Sequence, residues 1–193
     1  MATVHHSWEA QGVFATRLYS PLRCVAWVEQ AKRSRQWCEA EVAIDESGNS
    51  GANPTSRWAR ILHGPIADKV RRDFESRIRR EITPLIRGTW GANLRQCHGT
   101  QLIRYRKGGH YVPHSDVGTG DLARRLFTVL CYLNEDFRGG RTGFPSLGYS
   151  ATPQAGKVIV FPSSYLHCAE PVVHGQKFVA LTWLCGPAPV RWI

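Results

Sequence analysis

The sequence lacks the features of exported, membrane-spanning and disulfide-stapled proteins. Its six cysteines are scattered without a CxxC pair, which excludes a zinc ribbon and a thioredoxin-type motif. No run approaches the roughly 18 to 20 consecutive apolar residues that a membrane span needs. The N-terminal residues have neither the basic segment nor the apolar segment of a secretory signal. We therefore expect a soluble, cytoplasmic protein with reduced thiols and no membrane partner.

Acidic residues are also scarce. Only 15 Asp and Glu oppose 25 Lys and Arg, which gives a formal net charge of +10, and 20 of the 25 basic residues are Arg. Such an excess favours an anionic partner, whether nucleic acid, a membrane surface or an anionic ligand. Apolar residues make up 42% of the 193-residue chain, enough for one sizeable core. The sequence therefore predicts a single domain over residues 1–193.

The first half of the chain, residues 1–98, has the pattern of helical support with outer strands. Ser20 and Pro21 form an N-cap and first-turn pair, and apolar residues then recur at helical spacing up to about Arg33. A longer amphipathic helix is predicted from about residue 65 to 86, because four apolar residues recur every four positions: Val70, Phe74, Ile78 and Ile82. Between the helices we expect a short strand at 42–44 and a loop at 45–56.

The opposite face of the longer predicted helix is basic, with Arg71, Arg72, Arg79 and Arg80. A row of charges on a helix is ordinarily a solvated face. No aromatic residues interleave with these arginines as a single-strand stacking surface requires. We therefore do not expect nucleic acid to be a partner.

From residue 101 onward the pattern changes to short β-branched and aromatic runs separated by Gly and Pro. Such runs indicate strands joined by turns. The predicted strands are 101–106, 126–133, 157–161 and 178–184. Several short strands at this spacing, preceded by helices, predict a sandwich or jelly-roll barrel with helical support.

Within the strand-rich half, His114 and Asp116 stand two residues apart at a predicted strand end. Side chains alternate along a strand, so the imidazole and the carboxylate point the same way and can bind one metal ion. A lone HxD pair is common by chance, and a site needs a third ligand. His167 and His174 can each supply it. His167 is favoured because it directly follows an apolar strand, whereas His174 stands in a predicted turn.

Two imidazoles and one carboxylate on one face of an iron ion form the facial triad of non-haem Fe(II) oxygenases. Four motifs surround these residues: YxxGxxYxxHxD at Tyr105–Asp116, RxxTxxxYLN at Arg125–Asn134, GGxTxFP at Gly139–Pro145 and HxxxPVxxGxK at His167–Lys177. Their order and spacing resemble the Fe(II)/2-oxoglutarate-dependent dioxygenases of the prolyl 4-hydroxylase type. The last segment is also similar to the PKHD-type hydroxylases of the same superfamily.

The resemblance implies a mainly β, α+β fold, with N-terminal helices packed on a double-stranded β-helix, the cupin-like jelly roll, whose catalytic core covers residues 99–186. It implies Fe(II) held by His114, Asp116 and His167, with 2-oxoglutarate as cosubstrate, O2 as oxidant and ascorbate as reductant. The implied reaction hydroxylates an unactivated C–H bond and releases succinate and CO2.

Further residues are assigned to the cosubstrate by the same resemblance. Lys177 is the expected counter-ion of the 2-oxoglutarate C5 carboxylate, since a buried carboxylate without a partner is very costly. Thr128 and Tyr132 share one strand parity and are expected to donate hydrogen bonds to that carboxylate. Tyr105 matches a family position near the cosubstrate and the iron.

The substrate is less well defined by the sequence. Tyr111, Arg141 and Trp183 are the expected pocket residues, and Arg141 stands where prolyl hydroxylases commonly have Glu. An Arg there could pair with a carboxylate or phosphate. We therefore expect a small anionic molecule, such as an amino acid or a natural-product intermediate. The alternatives are a peptidyl-prolyl 4-hydroxylase acting on a peptide or protein, and a non-catalytic jelly-roll binding protein.

Overall fold

A computed structural model describes residues 6–43, 50–95 and 97–187, without the side chains at positions 43, 97 and 98. Three α-helices and sixteen short strands make up this part of the chain. The helices are α1 (Pro21–Arg33), α2 (Pro65–Arg77) and α3 (Thr83–Trp90). The strands of the first half are β1 (His6–Ala10), β2 (Val13–Arg17), β3 (Trp37–Glu39), β4 (Glu41–Ala43), β5 (Ser50–Ala52) and β6 (Arg60–Leu62).

The second half is almost entirely β. Its strands are β7 (Cys97–Tyr105), β8 (Tyr111–His114), β9 (Arg125–Tyr132), β10 (Arg138–Gly139), β11 (Thr142–Phe144), β12 (Tyr149–Ala151), β13 (Lys157–Pro162), β14 (His167–Ala169), β15 (Val172–His174) and β16 (Lys177–Cys185). Single 3-10 turns cover Gly120–Arg124 and Pro145–Leu147. All four strands predicted from residue 101 onward are present, with bounds shifted by a few residues at most. The mainly β architecture is confirmed.

The strands form a large and a small sheet whose inner faces share one apolar core. The large sheet has the order β1-β2-β13-β9-β16-β7-β6-β3, and the small one has the order β12-β11-β14-β8. Two-stranded pairs β10-β15 and β4-β5 complete the described sheets. Alternation along β9 shows the layering: Leu130 and Tyr132 face the core between the sheets, while Val129 and Cys131 face the helices.

The helices lie between residues 21 and 90, after the β1–β2 hairpin, so the expectation of N-terminal helices is wrong. The described chain begins with the β1–β2 hairpin, which extends the large sheet by pairing with β13. Its turn contains Gly12 at φ +70°, a left-handed conformation that favours glycine. Phe14 on β2 then packs into the core beneath the helices. A strand alternating between two buried faces contains few polar residues, which hides its period of two.

The long helix predicted for residues 65–86 is interrupted. Ile78–Ile82 form one π-helical turn between α2 and α3, and the helix continues to Trp90. Pro84 explains the irregularity, because it has no N–H to donate to the carbonyl four residues earlier. The predicted apolar stripe is nonetheless buried as expected, with Val70, Phe74, Ile78 and Ile82 each at most 1% exposed.

The region between the helices differs in part from the prediction. The short strand is present as β4, and residue 44 lies outside the described residues. The predicted loop contains β5, which pairs with β4 through Val42 and Gly51. None of the described helices has the length and hydropathy required to cross a bilayer.

Phe74 is a sharp test of the packing between the helices and the large sheet. Its side chain is completely buried and packs near Tyr19. We expect Phe74→Ala to lower the free energy of unfolding by about 3–5 kcal/mol, because it removes buried apolar surface and leaves a cavity. Urea denaturation measures the change. Leu22→Ala is the control: Leu22 lies on α1 but is 80% exposed, so a comparable loss there would contradict this packing.

Candidate active site

A cavity of about 740 Å³ lies between the two sheets. Residues of β7, β9 and β16 from the large sheet line one side, and residues of β8, β11 and β14 from the small sheet line the other. The cavity contains His114, Asp116, His167, Lys177 and Tyr105 among its lining residues. The groups predicted to serve metal and cosubstrate therefore share one enclosure.

Three of these residues form a compact cluster. His114 on β8 lies directly opposite His167 on β14 in the antiparallel register, and Asp116 follows two residues after His114. One potential ligand atom from each residue lies within 4.8 Å of the others. His174, the alternative third ligand, is exposed on β15 and pairs with Arg138 of β10. Of the two histidines, the structure brings His167 to the cluster.

Hydrogen bonds fix which nitrogen of each imidazole can bind a metal. His114 Nδ1 lies 2.8 Å from the carbonyl of Val112, and His167 Nδ1 lies 2.9 Å from that of Tyr165. A carbonyl can only accept, so each Nδ1 carries a proton, and in the neutral imidazole the lone pair is then on Nε2. The two Nε2 atoms face Asp116 at 3.6 and 3.4 Å. Neutral imidazoles held in this way are ready-made metal ligands.

The electrostatics agree with this donor set. Burial lowers the pKa of His114, which favours the neutral ligand form. Burial alone would raise the pKa of Asp116, but the neighbouring His167 and His114 outweigh it and hold the pKa well below its usual range. One carboxylate and two neutral imidazoles fit the facial triad of Fe(II).

Thr128 lies in a different place from the one predicted. Its hydroxyl donates to Asp116 Oδ2 at 2.6 Å and lies 3.0 Å from Ser163 Oγ. Thr128 pairs with Trp183 in the β9–β16 register, six residues along β16 from Lys177. At about 3.3 Å per residue, this separation is roughly 20 Å. Thr128 therefore orients Asp116 and does not reach the expected 2-oxoglutarate carboxylate.

Loss of this hydrogen bond should weaken metal binding without removing a ligand. We expect Thr128→Val to lower Fe(II) affinity by roughly 10- to 100-fold, the usual effect of losing an outer-shell partner. Anaerobic calorimetric titration measures it. Thr55→Val is the matched control, because the Thr55 hydroxyl is exposed and bonds only its neighbour Asn53. Unchanged Fe(II) affinity in Thr128→Val would contradict the orienting role.

Lys177 is the buried cation of the cavity. It is 1% exposed, and its Nζ lies 5.0 Å from the ring centroid of Tyr105 and 5.5 Å from that of Tyr132. In the described part of the chain, no carboxylate lies within 4.0 Å of Nζ. Burial lowers its pKa to about 7, against the weaker raising effects of Cys168 and Glu170. Such an ammonium group needs an anionic partner.

The Tyr132 hydroxyl near Lys177 has a different position from the one predicted. Tyr132 is completely buried behind the cavity wall, and its hydroxyl donates to Thr142 Oγ1 at 2.7 Å. Thr142 itself lines the cavity, and so does the buried Tyr105. Thr142 belongs to the GGxTxFP motif but had no predicted role of its own. Tyr132 therefore acts on the cavity through Thr142.

Of the three predicted substrate residues, two line the cavity and one does not. Tyr111 lines the cavity and stacks on His114 with 3.5 Å between ring centroids, and Trp183 also lines it. Arg141 is exposed and is not a lining residue, because side chains alternate and its neighbour Thr142 faces inward. The prediction of Arg141 as a pocket residue is not supported by this geometry.

Two arginines line the cavity: Arg125, which the sequence already made a candidate for an anionic substrate, and Arg57, which was missed. The Arg125 guanidinium lies 3.5 Å from the ring centroid of Trp183 and donates to the backbone carbonyl of Asp116 at 3.2 Å. Arg57 is 8% exposed and lies 5.0 Å from the ring centroid of Tyr111. Arg125 was available from its motif, whereas nothing in the local sequence marks Arg57.

Comparisons with known proteins agree with this geometry. The sequence profile of the 2OG-Fe(II) oxygenase superfamily matches residues 100–185. Over these residues the chain is similar to that superfamily. The predicted resemblance to this superfamily is confirmed. Fe(II) and 2-oxoglutarate, the cofactor and cosubstrate of that superfamily, are supported with it.

Individual relatives are similar to parts of this chain. Prolyl 4-hydroxylase subunit alpha-1 of Gallus gallus is 32% identical over 129 residues, which cover 58% of this chain and 25% of that protein. A PKHD-type hydroxylase of Synechococcus sp. (strain CC9902) is 29% identical over 124 residues, covering 62% of this chain and 54% of that protein. The chain thus spans between a quarter and about half the length of these two relatives.

Solved structures support the fold. A prolyl hydroxylase from Trichoplax adhaerens, in complex with a hypoxia inducible factor oxygen degradation domain peptide fragment, aligns with a TM-score of 0.72. The alignment covers 90% of this chain and 83% of the other at 14% identity. This likeness concerns the arrangement of the two sheets and the helices.

Proposed function

We propose that the chain is an Fe(II)/2-oxoglutarate-dependent dioxygenase that hydroxylates an unactivated C–H bond of a small molecule. The observation that carries the proposal is the shared cavity, which combines a metal-ligating cluster with a buried, unpaired ammonium group. His114, Asp116 and His167 would hold Fe(II), and Lys177 would bind the C5 carboxylate of 2-oxoglutarate. When bound, iron and 2-oxoglutarate activate O2, so that one oxygen atom enters the substrate and the other enters succinate as CO2 leaves.

The residues of the chain prepare this chemistry in three ways. The carbonyls of Val112 and Tyr165 keep both imidazoles in the ligating tautomer. Thr128 and the backbone carbonyl of Ser163, which accepts from the Asp116 N–H at 2.9 Å, fix the acid ligand. Tyr105 and Thr142 line the cavity with Lys177 and can donate hydrogen bonds to the C5 carboxylate of 2-oxoglutarate. Pre-oriented ligands of this kind lose little entropy when they bind.

Anaerobic titration with Fe(II) and 2-oxoglutarate tests this assignment. We expect a visible charge-transfer band in the wild-type protein, and succinate formation after O2 is admitted. A screen of free amino acids and proline-containing peptides then identifies substrates through increased succinate release and a mass gain of one oxygen atom. A protein that forms neither the band nor succinate would be the non-catalytic binding module.

A second function is hydroxylation of a prolyl residue in a peptide or protein. The names of the Gallus gallus relative and of the Trichoplax adhaerens protein with its bound peptide favour it. Partly exposed apolar side chains near the cavity, Val112 and Leu122, also fit a peptide. The same screen separates the two functions, because the mass gain occurs either on a free acid or on a peptide.

A further inference from the structure

Arg57 is a buried cation on the cavity wall without an anionic partner. It forms an isolated bridge with Tyr111, and 8% of its surface is exposed. Its Nη1 donates to the backbone carbonyl of Glu41 at 3.1 Å, and its Nη2 donates to Gln101 Oε1 at 3.0 Å. Its Nε is buried and has no acceptor. Across the described ranges, no carboxylate oxygen lies within 4.0 Å of this guanidinium.

The unpartnered guanidinium is an expensive arrangement for a purely structural residue. A guanidinium carries five N–H donors and a permanent positive charge, and burial of a charge without a counter-ion is costly. The acceptors around Arg57 are neutral: a carbonyl, an amide oxygen and the Tyr105 hydroxyl, which a hydrogen bond connects to Arg57. A carboxylate that binds in the cavity would supply the missing negative charge.

Arg57 lies near the metal cluster on the wall of the shared cavity, and it contacts Tyr105, whose ring also faces Lys177. Both groups contact the ring of Tyr111: the Arg57 Cζ is 5.0 Å from its centroid, and the His114 ring centroid is 3.5 Å from it. Arg125, the other cavity arginine, is engaged by Trp183 and the Asp116 carbonyl. Arg57 keeps one buried donor, Nε–H, without an acceptor, and this donor can meet a substrate whose reacting carbon lies close to the metal.

We propose that Arg57 binds a carboxylate of the substrate, so that the enzyme acts on small carboxylic acids at a carbon a few bonds from that carboxylate. This inference rests on the proposed oxygenase function and specifies its substrate class. The Nε–Nη edge of a guanidinium can bind a carboxylate through two parallel hydrogen bonds, which a carboxamide cannot reproduce with the same charge. Free amino acids belong to this class, whereas an internal prolyl residue of a peptide does not.

Matched acids and amides test the inference directly. The probes are the free L-amino acids and their carboxamides, titrated calorimetrically into anaerobic protein loaded with Fe(II) and 2-oxoglutarate. We expect at least one free acid to bind about 10- to 100-fold more tightly than its carboxamide, the range for a hydrogen-bonded charge. In Arg57→Gln this preference should vanish. Arg57→Lys keeps the positive charge and should retain part of the preference for the acid. It serves as the test variant if Arg57→Gln fails to fold.

Arg60→Gln is the matched control, because Arg60 is exposed, lies three residues further along and pairs with Glu39. It should keep the full preference for the acid. The inference is overturned if no free acid binds, if acid and amide bind equally, or if Arg57→Gln weakens both to the same extent. It is also overturned if Arg57→Gln weakens 2-oxoglutarate binding while the acid preference survives, since Arg57 would then serve the cosubstrate.

These failures differ from failure of the proposed function. The charge-transfer band with Fe(II) and 2-oxoglutarate forms without a substrate. A wild-type protein that shows the band but no acid preference refutes only the role of Arg57. A protein without the band refutes the oxygenase assignment itself.

Discussion

The Asp116→Ala protein should fail to bind Fe(II) and should form no succinate. Asp116 provides the only carboxylate of the His114–Asp116–His167 cluster among the described residues, and it is the only ligand that neutralises part of the metal charge. We expect Fe(II) affinity to fall by more than the roughly 10- to 100-fold that loss of an outer-shell partner costs. Anaerobic calorimetry measures the affinity, and the charge-transfer band reports the complete site.

His174→Ala is the control for this loss. His174 was the alternative third ligand, but it is exposed on β15 and distant in register from β8. Its replacement should leave Fe(II) binding and succinate formation at the wild-type level. His167→Ala should behave like Asp116→Ala. An inactive His174→Ala protein together with an active His167→Ala protein would reverse the ligand assignment.

Sequence periodicity identified the strands and the faces on which side chains lie. Thr128, Tyr132, Lys177 and Trp183 were all placed on inward-facing positions, and the structure buries all four side chains. Parity does not say how far along a strand a residue lies from its neighbours in space. The register pairs Thr128 with Trp183 and Lys177 with Tyr105. The hydroxyl assigned to the cosubstrate therefore orients the metal ligand instead.

Long-range packing explains the residues that the sequence did not reveal. Arg57 follows a segment rich in Ser, Asn, Gly and Pro, where turn chemistry predicts only a loop. Its role depends on a bridge to Tyr111, more than fifty residues later, which no local pattern indicates. The inward position of Thr142, by contrast, could have been predicted, because side chains alternate along a strand and Thr142 and Arg141 must face opposite sides.

The excess of positive charge is divided between the exposed helix surface and the cavity. The Arg71, Arg72, Arg79 and Arg80 side chains are exposed on the helices, and two of them pair with acids of their own helical segment, Asp68 and Glu81. Exposed pairs of this kind contribute little stability and are typical of a solvated face. Two buried cations without a carboxylate partner among the described residues, Lys177 and Arg57, line the cavity. We therefore expect the anionic ligands suggested by composition to bind between the two sheets.

Lys177→Met should raise the 2-oxoglutarate dissociation constant by about 100-fold or more while leaving Fe(II) affinity unchanged. Truncating one partner of a buried, hydrogen-bonded charge pair typically costs about 2–5 kcal/mol, and each 1.4 kcal/mol is tenfold. Met has a similar shape to Lys without the charge, so the cavity wall stays filled. Calorimetric titration of the Fe(II)-loaded proteins with 2-oxoglutarate measures the difference, and exposed Lys107→Met is the matched control.

The pH dependence tests the same charge independently. Burial lowers the Lys177 pKa from 10.5 to about 7, so the ligand-free protein loses this positive charge as the pH rises through 7. The bound carboxylate favours the protonated form, and binding therefore takes up a proton. We expect 2-oxoglutarate affinity to be greatest below pH 7 and to fall as the pH rises above it.

Wild type and Lys177→Met should therefore differ in how 2-oxoglutarate affinity varies with pH, as well as in the affinity itself. Lys177→Met has no group to protonate at this position, so its weaker binding should vary much less between pH 6.5 and 8.5. The stability of the ligand-free protein depends on pH in the opposite direction. The unfolded chain binds the lysine proton more tightly than the folded protein, so this group increases stability as the pH rises from about 7 toward 10.5. Equal pH slopes for wild type and Lys177→Met would show that another group holds the cosubstrate carboxylate.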